Sequence, residues 1–342
     1  MNTQSDQIQA AKQVVRSMAA DVDGNPSALA AHVGPDYFWR GVRPFYELTG
    51  AQSVVETILE PLHKSFTGFH RREHIFLSGF NQHAEDEIWT CSSGNFFGLF
   101  DHDFVGIAAH KKAALLPYAE FHNVQNGQVV ESALFLDLIR LQQQVGLDPI
   151  PTQTASRMTP PAPLTADGIL LDAHDPSEGE QTRQLLDDMI ADLSDQNSRG
   201  AVSCPPNILR RTWNENMAWY GPGGIGTSLT IPRYQEQHQT PFRTRLSDKV
   251  FNGHVCRIAE GNYSGWFGWP NLNNRNSGGF LGLPDTGELS EMRVVDIYRR
   301  DGDKLAENWV FIDILHYAAQ HGVDLLANPN ALTGSQRPVN RV

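Results

Sequence analysis

The sequence predicts an α+β protein built from two divergent copies of one small unit, with a proline-rich linker between them. Three observations carry the prediction. Residues recur at a fixed offset, each half writes its helices before its strands, and prolines crowd the middle of the chain. Setting Trp39 on Trp219 also sets Gly41 on Gly221, Glu56 on Glu236, Pro61 on Pro241 and His74 on His254 without a gap. Four residues fewer in the second half then bring Phe104 onto Phe280, Gly106 onto Gly282, Glu131 onto Glu307, Phe135 onto Phe311 and Asp137 onto Asp313. Gln144, Gly146 and Asp148 follow onto Gln320, Gly322 and Asp324, and Glu120 meets Asp296.

Each half reads in the same order. The first opens with a helix around 7–18 and a second near 26–32, where Pro26 suits a first turn. An amphipathic stretch over 52–66 sets Val55, Ile58, Leu59 and Leu62 on one face, and Pro61 predicts a kink there. Strand-like runs follow at 74–77, 87–91, 104–107, 115–123 and 129–136, then a helix over 137–145 that stops at Gly146. The second half mirrors this with helices near 181–193 and 234–246, strands over 292–300 and 305–312, and a closing helix over 313–320. Asn126-Gly127 and Asp301-Gly302 mark hairpin turns. Helices first and a mostly antiparallel sheet afterwards is an α+β order, not a βαβ one. Pro149, Pro151, Pro160, Pro161, Pro163 and Pro176 deny helix or central strand to the segment between, although the apolar run Ile169-Leu170-Leu171 is suited to docking. The expected division is 1–147, a linker over 148–177, 178–330, and a tail over 331–342.

Composition narrows the function classes. With 342 residues the chain has room for two domains, each with its own core. A net charge of −12 disfavours nucleic acid as partner. No apolar run approaches the ~20 residues of a membrane helix, and the first residues lack the pattern of an export signal. Three scattered cysteines in no CxxC spacing fit a reducing compartment, so a cytoplasmic location is expected. Histidines His70 and His74 share a strand face while Glu73 points away, and Asp101-His102-Asp103 adds only stray donors, so no metal is expected. The glycine-rich 221–226 segment precedes no dinucleotide-binding unit and reads as a loop at a pocket mouth.

The second half carries Gly279-Phe-Leu-Gly-Leu-Pro-Asp-Thr-Gly287, then Val294-Val-Asp-Ile-Tyr-Arg-Arg-Asp-Gly302, then Glu307-Asn-Trp309 and Asp313. These runs, with Gln320 and Gly322, resemble the SnoaL-like polyketide cyclases of the wider nuclear-transport-factor-2-like superfamily, over about 45 residues. The first half matches less well, with Ala108 for the proline, Lys111 for the glycine and Ala133 for the tryptophan. The resemblance implies two tandem cones, each a strongly curved antiparallel sheet wrapped on helices with a pocket at its mouth, packed as an internal pseudo-dimer. It further implies cofactor-free acid/base chemistry on a small carbonyl-bearing molecule, as cyclase, aldolase, isomerase or hydratase.

Such chemistry needs a carboxylate in an apolar cleft, where lost hydration raises its pKa, and a donor facing the oxygen that gains charge. Carried over by position, the candidates are Asp313, Asp296 and Tyr298 in the second half, and Asp137, Glu120 and His122 in the first. Asp296 and Tyr298 share a sheet face, and with a three-residue hairpin loop they share it with Asn308 and Val310. Asp313 and Asp137 also read as caps of the closing helices, a role Asp fills very often. Trp219, Trp309, Arg293, His254, Trp39 and His74 are candidate substrate contacts or pocket wall. The fuller pattern of the second half makes it the expected main site. A non-catalytic small-molecule binder and a dimerisation module stay open beside the enzyme. Expected partners are a small molecule and, beyond the pseudo-dimer, a further copy of the chain.

Overall fold

The computed structural model describes residues 4–333, so most of the expected tail lies outside the described residues. Helix α1 (Gln4–Gly24) buries Ala11, Val15, Met18 and Val22, a stripe at intervals of three and four that packs on the sheet. A 3₁₀ turn (Pro26–Ala31) is capped by the Asn25 side chain and leads into β1 (Val33–Gly41) and β2 (Tyr46–Thr49). The amphipathic stretch is α2 (Ala51–Val54), a π-helical turn (Val55–Leu59) and α3 (Glu60–Ser65). Pro61 has no N–H for the α ladder, and the π turn absorbs the expected kink by widening it. The meander β3 (Phe66–Asn81), β4 (Ala84–Phe100), β5 (Ala113–Gln125) and β6 (Gln128–Leu136) follows, closed by α4 (Leu138–Gln144).

The second unit repeats the order. Helices α5 (Pro176–Ser198) and α6 (Pro206–Thr212) precede β7 (Trp213–Tyr220) and β8 (Thr227–Leu229). Then come α7 (Ile231–Tyr234), a second π turn (Gln235–Gln239) and α8 (Thr240–Arg245), each in step with its counterpart. Strands β9 (Leu246–Phe251), β10 (Cys256–Glu260), β11 (Tyr263–Asn276), β12 (Ser290–Asp301) and β13 (Lys304–Ile312) end at α9 (Ile314–Gln320).

The first sheet runs β2-β1-β6-β5-β4-β3, and the second β10-β11-β12-β13-β7-β8 with β9 also on β11. One expectation is corrected here. The sheets are not wholly antiparallel, because β1 lies parallel to β6 and β7 parallel to β13. The helical stretch after β2 carries the chain across the sheet, so the meander returns beside the first strand in the same direction. The run at 104–107 is no strand either. Val105 and Gly106 both take left-handed angles and close a turn, as Leu281 and Gly282 do in the second unit.

The Trp-x-Gly pairs have a steric reason. A Cβ on Gly41 would lie 2.1 Å from the Trp39 ring, and one on Gly221 at 2.1 Å from that of Trp219. Each ring folds over the residue two places on, which must therefore be glycine. The Asp301 hairpin closes through two residues, Gly302 and Asp303, with a bulge at Arg299/Arg300 supplying the register shift expected of a longer loop.

Strand alternation divides each sheet between two environments. Glu120, His122, Ser132 and Leu134 face the helices of their own unit, as Asp296, Tyr298, Asn308 and Val310 face theirs. The opposite faces meet one another. Phe267 packs on Trp89 at 5.6 Å, on Phe121 at 4.9 Å and on Phe135 at 6.1 Å between ring centroids. Burial on both faces accounts for continuous apolar runs such as Ala133-Leu134-Phe135-Leu136.

The linker is part of this assembly. Ser156 bridges Thr227 on β8, the Trp309 indole donates to the Pro161 carbonyl (3.0 Å), and Ile169 pairs with Phe76 on β3. Of the apolar run, Leu170 is buried while Ile169 and Leu171 stay exposed. Beneath it the Lys12 ammonium donates to Glu260 (2.5 Å) and to the carbonyls of Leu170 (2.7 Å) and Asp172 (3.0 Å). The ion pair is buried and joins α1, the linker and the second unit.

Candidate active site

The first unit holds an open cone. Its inner chamber, about 30 Å³, is walled by Trp39, Val54, Leu62 and Leu134 among others. An outer chamber of about 210 Å³ lies toward Arg16, Glu73 and Ser92. Five residues border both: Ala19, Asp23, Arg71, Glu120 and His122. Helix α1 supplies Ala19 and Asp23 one turn apart, β3 supplies Arg71, and β5 supplies Glu120 and His122 at the two-residue spacing of one sheet face.

These groups form a chain of hydrogen bonds. Arg71 donates through Nε and Nη2 to Asp23 (3.0 and 3.2 Å) and through Nη1 to Glu120 (2.7 Å), while its plane lies over Phe96 and Tyr118. Burial would raise the Glu120 pKa, but Arg71 and His122 together hold it at about 2. Glu120 therefore stays ionised. His122 Nε2 lies 3.5 Å from Glu120 Oε2, and its Nδ1 lies 2.7 Å from the hydroxyl of Ser132, the residue paired with it across β6. The Tyr37 side chain backs Ser132 in turn. On the outer side Tyr118 and Glu73 both meet Ser92, at 3.0 and 2.9 Å.

The second cone has the same posts with different occupants. Where the first unit has Val33, Val54, Ile58 and Leu62, the second has Trp213, Tyr234, His238 and Phe242. Rings stack through its interior: Trp219 on His238 at 3.9 Å, Trp266 on Tyr298 at 4.8 Å, Trp213 on Tyr298 at 5.8 Å. Among them Asp296 accepts from Trp266, Tyr298 and Asn308, each at 3.3 Å. Among the described residues no cation joins that set. Loss of hydration lifts its pKa to about 6 against these three neutral donors, although its side chain stays partly exposed.

The remaining candidates are placed elsewhere. Asp137 and Asp313 sit at the seam between the units, each capping its closing helix through the third residue on. Asp313 is buried, and burial lifts its pKa to about 6. Arg293 lies over the Trp269 ring at 3.9 Å beside Asp313 at the same seam. Trp309 faces the linker, stacked on Tyr220. His254 packs on Trp266 with burial holding it neutral down to about 3. His74 lies where the linker crosses β3, and His70 turns to the Gly68 carbonyl instead. Trp39 and Trp219 do line the interiors of their cones. Sequence reasoning missed Arg71, Asp23, Ser132 and Tyr37.

Among the described residues no helix is long and apolar enough to cross a membrane. No protein-family model matches the chain, and no curated protein matches it. Solved structures are similar to it. One named as a polyketide cyclase from Xanthomonas campestris pv. campestris shares 16% identity, covering 41% of this chain and 98% of its own, with a TM-score of 0.34. An NTF2-like protein from Burkholderia xenovorans LB400 shares 14% over 42% of this chain and 96% of its own, at a TM-score of 0.32. A third, named as a scytalone dehydratase from Novosphingobium aromaticivorans DSM 12444, shares 18% over 38% and 83%, at 0.30.

Proposed function

We propose that the chain is a proton-transfer enzyme acting on a small carbonyl-bearing molecule in the cone of the first unit, with His122 as acid/base. One observation carries the reading: His122 lies against a fixed carboxylate where an apolar chamber meets one of mixed lining. An imidazole nitrogen can both take and return a proton. Its Nε2, only loosely held by Glu120, takes a proton from the carbon or hydroxyl group next to the carbonyl. Glu120 then faces the imidazolium that has formed, and the proton returns from the same nitrogen. Arg71 keeps Glu120 ionised through this cycle, and Ser132 fixes the ring. The first unit is thus proposed as the working one, in place of the second.

The test is exchange of α-hydrogen for deuterium in a panel of small ketones and enones, followed by NMR. His122→Asn is expected to lower the exchange rate by about 10²–10⁴. An unchanged rate would exclude the reading. A second reading rests on Asp296, a carboxylate with a pKa of about 6 and three neutral donors. It predicts that Asp296→Asn, and not His122→Asn, abolishes exchange.

A further inference from the structure

We infer that the first cone selects its ligand by charge: it takes an uncharged molecule about one ring in size and rejects anions, and Arg71 and Asp23 set this preference. The inference rests on the proposed site but not on its chemistry. Size comes from the chambers. An apolar cavity of ~150 Å³ holds a benzene molecule, so the outer chamber of about 210 Å³ suits a single ring with a polar substituent. The inner chamber of about 30 Å³ adds room for a short apolar projection.

Charge comes from the pairing. Arg71 looks like a receptor for a carboxylate, yet its Nε and Nη2 are held by Asp23 and its Nη1 by Glu120. Arg16, the other guanidinium on the outer chamber, is engaged by Glu73 at 2.8 Å. Three carboxylates, Asp23, Glu73 and Glu120, therefore face two guanidiniums around the cavity, one carboxylate in excess. An incoming anion meets that excess at short range, where like charges repel. The Arg71 N–H groups bonded to Asp23 and Glu120 open to it only when a resident carboxylate is displaced. An uncharged carbonyl or hydroxyl compound pays neither cost. Asp23 is the adjustable part, since it reaches the cluster from α1 and contacts neither His122 nor Glu120 among the bonds described.

The experiment is a binding titration of the full chain with two uncoupled probes, cyclohex-2-enone and cyclohexanecarboxylate, by ligand-observed NMR. The wild type is expected to bind the enone in the millimolar range and the carboxylate at least about tenfold more weakly. Asp23→Asn removes the excess charge and leaves Arg71 Nε and Nη2 one acceptor oxygen in place of two, so the preference is expected to shrink or invert. Ala19→Phe, which fills the border of both chambers, is expected to abolish enone binding and so locates the ligand. Equal or tighter carboxylate binding by the wild type would overturn the inference, as would failure of both probes to bind. An unaltered preference in a folded Asp23→Asn would overturn it too. Proton-transfer chemistry fails separately, when the probes bind as expected and His122→Asn leaves deuterium exchange unchanged.

Discussion

Asp137 and Asp313 perform the same pair of bonds on opposite sides of the seam. Asp137 accepts the Arg140 N–H that opens its own closing helix (2.9 Å) and the Gly223 N–H of the other unit (2.8 Å). Asp313 accepts the His316 N–H (3.1 Å) and the Arg43 N–H of the other unit (3.0 Å). Arg43 and Gly223 are themselves counterparts in the repeat, so the two latches are related by the internal two-fold arrangement. A carboxylate saturated by backbone donors in this way is a fastening.

Removing either latch is expected to cost stability and to spare chemistry. Asp313→Ala loses a cap, worth about 0.5–2 kcal/mol, and removes the acceptor of the part-buried Arg43 N–H of the other unit, worth about 1 kcal/mol more. Urea unfolding measures the loss, and deuterium exchange should proceed at the wild-type rate in the folded variant. A rate loss of about 10²–10⁴ without loss of stability would return Asp313 to the acid/base role.

Thr230 stands where the first unit has Gly50, and it keeps the glycine-type backbone, with φ of 66° and ψ of 151° against 81° and 147°. That region is nearly closed to a β-branched residue, at a cost of about 1–3 kcal/mol. Thr230→Gly is therefore expected to raise stability by about 1 kcal/mol after the entropy of the freer unfolded chain is deducted. A lower melting temperature would contradict the strain.

The pH dependence of stability should carry the mark of Asp296. Its pKa is about 6 in the folded chain, against about 4 for a free aspartate. Between those values the folded state holds the proton more firmly, so stability falls as pH rises from 4 to 6 and the penalty is complete above 6. Because the side chain is partly exposed, the penalty is on the order of 1–2 kcal/mol. Asp296→Asn is expected to flatten this part of the stability curve, with Asp313, also near 6, supplying what slope remains. Denaturant midpoints at pH 4, 5, 6 and 7 decide it.

Lys12→Met should be among the most damaging single changes. It strands the Glu260 carboxylate, whose other contacts are the backbone N–H groups of Ser78 (2.8 Å) and His174 (3.2 Å). Breaking a buried pair from one side costs about 3–5 kcal/mol. Lys12→Met with Glu260→Gln should recover part of that loss, which a double-mutant cycle would measure.

Much of this architecture was legible because the repeat exposes it. Helix order, hairpin turns, the Gly146 and Gly322 stops and the shared face of Asp296 and Tyr298 all follow from local spacing. The parallel pairing of β1 with β6 was not, since it depends on how the chain crosses its own sheet. Arg71 was hidden for a similar reason. Its partners lie 48 and 49 residues away on α1 and β5, and no local pattern joins them. The difference between the cones did lie in the sequence, in Trp213, Tyr234, His238 and Phe242 standing where Val33, Val54, Ile58 and Leu62 stand. It becomes meaningful only once those positions are known to face one interior.

Both cones belong to one polypeptide, and the linker keeps them on it. In an assembly of two identical chains, a mutation that fills one cavity fills both, and the population loses the site at a stroke. Here a single codon change touches one cone and leaves its twin alone. Rings can accumulate in one interior to strengthen the whole molecule while the other stays free to select for a ligand. A laboratory lineage evolved for a new substrate should therefore gather its changes around Ala19, Arg71 and Leu134, and tolerate them better than a symmetric dimer would.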